Sequence, residues 1–275
     1  MGGAYGPLKF TSCLNSGSVT SNIKTTSGAK CNVLTSGFVG DNQHANATIT
    51  FVAADASQNI APCKNTGTIT LTGHMGGGTY YGRASGIANA DYGGGILTAY
   101  DVINEGQIVA KDLTGSSSGG YIQVGGIAGC HITNSKWINV VNKGDILVEN
   151  VKVKYALVGG ISGHTNAGGL YEGTLVNLGN IIVRNCTFSD LASTKIGGIV
   201  GNGTFAISGA KSYCGIEAKD YENVGWIMGA ARSANSKAVN CKVGGYIRVI
   251  DEEDESDVIQ YITEADYFNY IYGNG

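Results

Sequence analysis

Residues 74–100 hold the densest group of side chains that could bind a ligand. Aromatic rings stack on sugar rings and on protein surfaces, and an arginine beside them adds hydrogen-bond donors. The stretch is rich in glycine, so we expect it to form a mobile segment. We predict a binding site that comprises Tyr80, Tyr81, Arg83, Tyr92 and Tyr100. The alternative interpretation is that these tyrosines only cover the outside of the fold.

Histidine and cysteine side chains could supply metal ligands. His131 and His164 follow matching glycines in two copies of a repeated motif, so they could be neighbours, with Cys130 as a third ligand. A metal site needs further ligands at matching positions, and no CxxC pair is present. We predict ordinary turn histidines, no metal and no cofactor.

Carboxylates are widely dispersed along the chain. A polysaccharide lyase or hydrolase needs paired or clustered carboxylates on adjacent coils, together with a basic residue or a calcium ion. Asp145 has only uncharged residues at the matching positions of neighbouring copies, and so has Asp112. Glu149 matches Lys111 and Arg184, which predicts a charge ladder on the surface. We predict a protein without catalytic activity, and a polysaccharide-active enzyme is the alternative.

A repeat with two alternating motifs would position these side chains. The first motif is apolar-x-Gly, clearest as VGGIAG, VGGISG and IGGIVG, and its last glycine is Gly129, Gly163 or Gly201. The second is Asn-x-Gly, whose asparagines are Asn15, Asn65, Asn104, Asn142 and Asn177, with weaker copies centred on Gly215 and Gly245. Regular alternation of two motifs is typical of a repeat architecture.

Apolar residues after each Asn-x-Gly motif recur at a period of two, which predicts a strand with one buried face. One column holds Ile69, Ile108, Ile146 and Ile181, and the next holds Leu71, Ala110, Val148 and Val183. Helical spacing is not sustained, and the 44 glycines argue against helices. We predict an all-β fold, a parallel β-solenoid of about seven coils with glycine and asparagine corners.

Both motifs have a structural interpretation as corners. Asparagine and glycine tolerate left-handed backbone conformations, which suits a sharp turn. Stacked copies would also place the five asparagines above one another, where their amides could form a ladder. We therefore interpret these asparagines and Gly129, Gly163 and Gly201 as structural corners.

Three cysteines occupy one position of the repeat. Cys13, Cys63 and Cys241 share it, whereas other copies have valine or leucine there. Such a position predicts a buried site where cysteine acts as a small hydrophobic residue. A disulfide between Cys13 and Cys63 is the alternative.

Composition excludes two classes of partner. Charged residues make up 14 % of the chain and the net charge is −3, which gives no electrostatic basis for binding nucleic acid or an anionic membrane. No apolar run approaches the roughly 18 residues of a membrane span. We predict no nucleic-acid partner and no insertion into a membrane.

The alternating motifs resemble the GLUG-type and related glycine-rich repeats of bacterial cell-surface and secreted proteins, many of them from gut Bacteroidetes. Residues 125–146 match that form best, and the copies near 35–40, 85–89 and 212–216 are degenerate. The resemblance implies a right-handed β-helix in an extracellular or surface-exposed, adhesin-like protein. Its loops would bind a glycan or a protein of a host or cell surface. The motif identifies no active-site residue.

We expect a single solenoid domain over residues 1–275, and a longer array in the parent protein because both ends fall at the same phase of the repeat. Residues 41–66 would form a coil with an extended loop. Residues 250–270 would form an acidic insert and a C-terminal segment, with DEEDESD as a solvated loop and cation binding as the alternative.

Overall fold

The fold is built almost entirely from stacked β-strands. The computed structural model describes residues 7–25, 32–42, 47–53, 62–76, 81–90, 95–115, 120–132, 135–171, 174–219, 223–231, 237–250 and 257–260. Within these ranges the strands form one sheet of 21 strands and one of six, and a short 3₁₀-helix spans Leu191–Ser193. The predicted all-β parallel solenoid is confirmed, while its handedness and number of coils stay predictions.

A complete coil runs through four groups of strands. The leading strands precede the Asn-x-Gly corner: β1 (Leu8–Thr11), β2 (Leu14–Asn15), β5 (Thr48–Val52), β6 (Cys63–Asn65), β9 (Ile96–Asn104), β13 (Lys136–Asn142), β17 (Leu175–Asn177) and β25 (Lys237–Val239). The trailing strands follow that corner: β3 (Val19–Lys24), β7 (Ile69–His74), β10 (Ile108–Thr114), β14 (Ile146–Val153), β18 (Ile181–Arg184) and β19 (Thr187–Phe188). In two further coils a single strand runs through the corner: β22 (Lys211–Lys219) and β26 (Lys242–Ile250).

The chain then enters the six-stranded sheet and turns at the apolar-x-Gly corner. The six strands are β4 (Asn32–Ser36), β8 (Tyr81–Ser85), β11 (Tyr121–Gly125), β15 (Ala156–Gly159), β20 (Lys195–Gly197) and β23 (Val224–Gly225). The return strands after the corner are β12 (Ala128–Ile132), β16 (Ser162–Tyr171), β21 (Val200–Ser208) and β24 (Met228–Ala231). Strand β27 (Asp257–Gln260) pairs antiparallel with β26, and the other pairings between described strands are parallel.

Equivalent residues of successive coils stack in register. Ile108 pairs with both Ile69 and Ile146, and Ile146 pairs with Ile181. All four side chains are fully buried, because alternate residues of a strand point to the same side. The predicted period-two columns are therefore confirmed.

Two hydrophobic cores lie side by side in the cross-section. The first lies between the trailing strands and the inward face of the six-stranded sheet, and includes Ile146, Val148, Val124 and Val158. The second lies between the leading strands and the apolar-x-Gly corners, and includes Val140, Trp137, Ile127 and Ile161.

The five asparagines form a continuous ladder between these cores. Each Nδ2 donates to the Oδ1 of the asparagine in the next coil, at 2.6 Å from Asn15 to Asn65 and 2.7 Å from Asn65 to Asn104. The bonds from Asn104 to Asn142 and from Asn142 to Asn177 are both 2.8 Å long. The same Nδ2 also donates to the carbonyl oxygen of the glycine two residues later, for example Gly144, at 2.9 Å from Asn142.

Glycine is required at these corners for close approach, not for a left-handed backbone. None of the five asparagines or the glycines that follow them has a positive φ, so the expected left-handed turn is wrong. A Cβ on Gly144 would lie 2.0 Å from the carbonyl oxygen of Gly106 in the preceding coil. On the facing corner, a Cβ on Gly126 would lie 2.3 Å from the amide carbon of Asn142. Four asparagines thus pack directly on a glycine backbone of the facing corner: Asn65, Asn104, Asn142 and Asn177.

The asparagine ladder ends at Ser212. Asn177 pairs with Ser212, and the register Ile181 with Ile216 places Cys214 at the corner-glycine position, so the weak copy assigned to Gly215 lies one residue too late. Trp226 replaces the glycine of the facing corner and is fully buried in the first core. A bulky ring is tolerated there because Val243, the partner of Ser212, carries no amide that needs space.

Left-handed residues do occur, at two other positions of the coil. One column contains Ser12, Asp101, Asn139 and Asn240, and the other contains Asp112, Asn150 and Asn185, all with φ between 49° and 54°. Asparagine and aspartate adopt this conformation more readily than other non-glycine residues. Cross-coil bonds of 3.0 Å join Asn139 to Asp101 and Asn150 to Asp112.

Two of the expected insertions lie largely outside the described residues. Strands β5 and β6 lie within the expected extended coil of residues 41–66, but residues 43–46 and 54–61 are not described. In the acidic segment of residues 250–270, only Ile250 and strand β27 are described. The nature of the DEEDESD loop stays a prediction.

We expect Asn142→Ala to destabilise the fold by on the order of 3 kcal/mol, because it leaves the Asn177 Oδ1 and the Gly144 carbonyl without a donor in a buried site. Urea unfolding followed by circular dichroism measures the change. Asn15→Ala, at the half-buried end of the ladder, is the matched control and should cost about 1 kcal/mol. Equal losses for both variants would contradict the ladder's contribution.

The isosteric N142D variant tests the same bonds by pH. At neutral pH its new carboxylate faces two oxygens, and burial raises the pKa of that carboxyl above its unfolded value. The protonated form can still donate one hydrogen bond, so the loss of stability should be smaller at pH 4 than at pH 7. A loss that grows as the pH falls would contradict this assignment.

Candidate functional site

A groove runs along the solenoid between the outward face of the six-stranded sheet and the return strands. In the sheet wall, one residue of each coil points into the groove, forming the column Leu34, Arg83, Gln123, Leu157 and Lys195. In the facing wall, Cys130 pairs with His164, and His164 pairs with Asn202. A Cβ on Gly163 would lie 2.8 Å from the Leu157 carbonyl oxygen, so the glycine column of the corner lets the two walls approach closely.

The N-terminal part of the groove is filled by Arg83. Its guanidinium donates to Gln123 Oε1 at 2.5 Å and to the Ala90 carbonyl oxygen at 3.0 Å, and the residue is fully buried. The Arg83 Cζ also lies 4.0 Å from the centroid of the Tyr81 ring. These contacts make Arg83 a structural residue that seals the groove.

The groove opens into a pocket of about 310 Å³ further along the axis. Tyr155 and Leu157 line it from strand β15 and the residue before it, while His164 and Asn202 line the facing wall. Ala192, Ser193 and Lys195, from the segment that ends in strand β20, complete the lining. The volume is at the lower end of the range for small-molecule sites.

A row of tyrosines borders the groove and leads into the pocket. Tyr121 pairs with Tyr81, and their ring centroids lie 5.7 Å apart. Tyr121 and Tyr155 are stacked, with centroids 4.5 Å apart and an interplanar angle of 10°. Tyr121 and Tyr155 are half-buried, which is the arrangement by which aromatic rings offer a face or an edge to a ligand.

Of the predicted binding residues, the three that the structure describes lie in strands and not in an exposed loop. Tyr81 and Arg83 lie in strand β8, whose five residues are all buried, so the expected mobile segment is wrong at these positions. Tyr100 lies half-buried in strand β9, beside Ile138 of the next coil. Tyr80 and Tyr92 fall outside the described residues.

The two histidines belong to different environments. His131 pairs with Thr165 and lies 4.6 Å, centroid to centroid, from Trp137, whereas His164 pairs with Cys130 and lines the pocket. Because adjacent residues of a strand point to opposite faces, the two imidazoles do not converge. Within the part of the chain that the structure describes, no group of three metal-ligating side chains occurs.

Two carboxylates on the described surface, Glu105 and Glu149, are paired with cations. Glu105 bridges Lys143 at 3.1 Å and Lys64 at 3.2 Å across three coils. Hydrogen bonds from Lys143 and then Lys64 lower the pKa of the Glu105 carboxyl. The predicted charge ladder at Glu149 contains an ion pair of 2.7 Å with Arg184. None of these groups lines the pocket.

The described cysteines are free thiols in apolar positions. Cys63 pairs with Val102, and Val140 pairs with Leu175, so the predicted apolar column is confirmed. Cys13 and Cys63 are both free, although the Cys13 N–H donates to the Cys63 Sγ at 3.5 Å. Burial raises the pKa of Cys186 and of Cys214 to about 11. Thiols of this kind are poor nucleophiles at neutral pH.

Comparison with known proteins gives no relatives: no family model matches the chain, and neither do any curated protein sequences or solved structures. The likeness to GLUG-type repeats therefore stays a prediction. Among the described residues, no helix is long and apolar enough to cross a bilayer.

Sequence reasoning missed the pocket residues Tyr121, Tyr155, Lys195 and Asn202. A signal for the tyrosines was present, because they recur at one position of the repeat. Tyr121 and Tyr155 each stand four residues before the first glycine of the apolar-x-Gly corner, and Tyr81 stands four residues before Ser85, which replaces that glycine. No comparable signal existed for Lys195 or Asn202, because each differs from the residue at the matching position of the preceding coil.

We expect Cys214 to resist alkylation by iodoacetamide in the folded protein at pH 8, where roughly one thousandth of a thiol with a pKa of 11 is ionised. Cys13, which is half-buried, should react faster. Peptide mass spectrometry after timed labelling measures both rates, with urea-unfolded protein as the control for full reactivity. Labelling of Cys214 at the rate of the unfolded chain would show that its burial is wrong.

Proposed function

We propose that this chain is a non-catalytic module of an extracellular or bacterial cell-surface protein, and that it binds a glycan in the groove pocket. The module combines a rigid stack of coils with a polar, aromatic-edged cavity. The glycan assignment rests on the pocket, and the surface location rests on the resemblance to repeats of adhesin-like proteins.

The stacked pair of Tyr121 and Tyr155 is the observation that carries this proposal. The Tyr155 ring stacks on the Tyr121 ring, and Tyr155 also lines the pocket. A sugar presents a flat apolar face of C–H groups that stacks on such a ring, and hydroxyl groups that need donors and acceptors. Asn202 and Ser193, in the same lining, supply both.

A rigid scaffold suits this kind of binding. The buried amide ladder and the in-register strands hold the two pocket walls in position before a ligand arrives. Binding to a preformed cavity avoids the entropic cost of ordering a loop. The repeat can thus present a small-molecule site on an elongated support.

The catalytic alternative lacks support from the same cavity. Hydrolysis of a glycosidic bond normally uses two carboxyl groups on either side of that bond. The described lining contributes a tyrosine, a histidine, a lysine, an asparagine and a serine, but no carboxyl group. A polysaccharide-active enzyme would therefore need a different site.

A glycan array tests the proposal. The whole chain should bind a defined subset of glycans, and Tyr155→Ala should weaken that binding by about tenfold or more, because it removes the stacking surface. Tyr213→Ala, which removes an exposed tyrosine in strand β22 outside the pocket lining, is the matched control and should bind like the unchanged protein.

Thermal melting of both variants separates loss of binding from loss of folding, since Tyr155→Ala also removes a ring from the stack. A correctly folded Tyr155→Ala variant that binds every glycan as before would contradict the pocket as the binding site. A chain that binds no glycan would contradict the proposed function.

A further inference from the structure

Two cysteines of neighbouring coils lie side by side at the N-terminal end of the second core. Leu14 pairs with Lys64, so Cys13 and Cys63, one residue earlier in each strand, occupy matching positions of adjacent coils. The Lys64 N–H donates to the Cys13 carbonyl oxygen at 2.8 Å, in agreement with that register. The other described cysteines have no cysteine at the matching position of an adjacent coil: Cys130, Cys186, Cys214 and Cys241.

The Cys63 sulfur is directed toward the coil that contains Cys13. Its Sγ accepts a hydrogen bond from the Cys13 N–H at 3.5 Å and lies 3.4 Å from the carbonyl oxygen of Phe10, also in the first coil. Cys63 is fully buried in the second core, and the half-buried Cys13 packs against the same core, so both side chains point inward. Neighbouring parallel strands lie about 4.8 Å apart, within the roughly 4.4–6.8 Å that separates the Cα atoms of disulfide-bonded residues.

A bond between the two sulfurs would join the first coil to the second. Within the described residues, strands β1, β2, β3 and β4 each pair with a strand of one neighbouring coil, whereas an interior strand such as β14 pairs on both sides. A coil with one neighbour opens more readily than an interior coil. Cys13 and Cys63 are 50 residues apart, and a cross-link restricts the unfolded chain more strongly when it closes a longer loop.

We propose that Cys13 and Cys63 form a redox-sensitive cross-link that fastens the first coil to the rest of the stack. Both are free thiols in this structure, which is therefore the reduced state of the pair. Thiols stay reduced in the cytosol, whereas disulfides persist outside the cell. The cross-link thus stays open in a reducing compartment and closes in an oxidising one. This inference does not depend on the proposed glycan pocket.

A low-molecular-weight disulfide such as oxidised glutathione is a sufficient oxidant. The Cys13 thiolate attacks one of its sulfurs, and one glutathione leaves as a thiolate. The Cys63 thiolate then attacks the Cys13 Sγ and displaces the second glutathione. The two protein thiols lose two protons and two electrons, which the oxidised glutathione takes up to become two thiols. Cys13 reacts first because it is the more exposed of the two, and burial raises the pKa of the Cys63 thiol.

Mass spectrometry of the purified chain tests the cross-link. After incubation with oxidised glutathione, the chain should lose the mass of two hydrogen atoms, and a non-reducing peptide map should show Cys13 bonded to Cys63. Cys63→Ser should stop at a mixed disulfide between Cys13 and glutathione. Cys241→Ser, which changes the cysteine at the same position of another coil, is the matched control and should still form the bond. Cys31→Ser, outside the described residues, should form it as well.

Limited digestion with trypsin measures the effect on the first coil. Cleavage after Lys24, in strand β3, should be about tenfold slower in the oxidised chain than in the reduced chain, because the cross-link opposes opening of that coil. Cleavage after Lys242, in strand β26, should keep its rate.

Three results would overturn the inference. The first is a chain that keeps both thiols free, or stops at the mixed disulfide, in excess oxidised glutathione. The second is a bond from Cys13 to a different cysteine. The third is a correctly cross-linked chain in which cleavage after Lys24 is as fast as in the reduced chain.

Discussion

The contact between a buried asparagine amide and a glycine backbone constrains the whole solenoid. An amide between two hydrophobic cores is costly unless its hydrogen bonds are made, and the ladder makes them with the next coil and with a nearby carbonyl. The facing glycine is needed because a Cβ on Gly126 or Gly160 would overlap the asparagine. The two motifs are therefore the two sides of one contact, and every coil that has the asparagine must also have the glycine.

This contact also generates the groove. The chain must turn at the apolar-x-Gly corner to bring its glycine to the ladder, and it then leaves along the outward face of the sheet that it has just formed. The return strands stay close to that face because glycines such as Gly163 carry no side chain. The columns that point into the groove vary from coil to coil, so that Arg83 closes the groove and Lys195 lines an open pocket. The ladder and the lining of the candidate site thus occupy different columns of the same repeat.

Much of the scaffold was predictable from the sequence, because strand period and motif phase are local properties that each coil repeats. The isoleucine columns and the apolar cysteine position follow from this regularity. The site was harder to predict, because its residues differ from the others in their columns. They become neighbours only when the two walls of the groove pack together. Arg83 shows the limit most clearly: its neighbours are glycines and tyrosines typical of a loop, yet packing of a facing strand buries it completely. The left-handed asparagines were not predicted, because they lie outside the Asn-x-Gly motif.

The ladder amides all point the same way along the solenoid. Each nitrogen faces the coil that follows it in sequence and each oxygen faces the coil before it, so the amide dipoles add instead of cancelling. The interior therefore has an electrical polarity, with its positive pole toward the C-terminal coils, much as the peptide dipoles of an α-helix sum along its axis. Because aligned hydrogen bonds polarise one another, the strength of each amide bond depends on its neighbours in the row. The two directions along the solenoid axis are therefore electrostatically distinct.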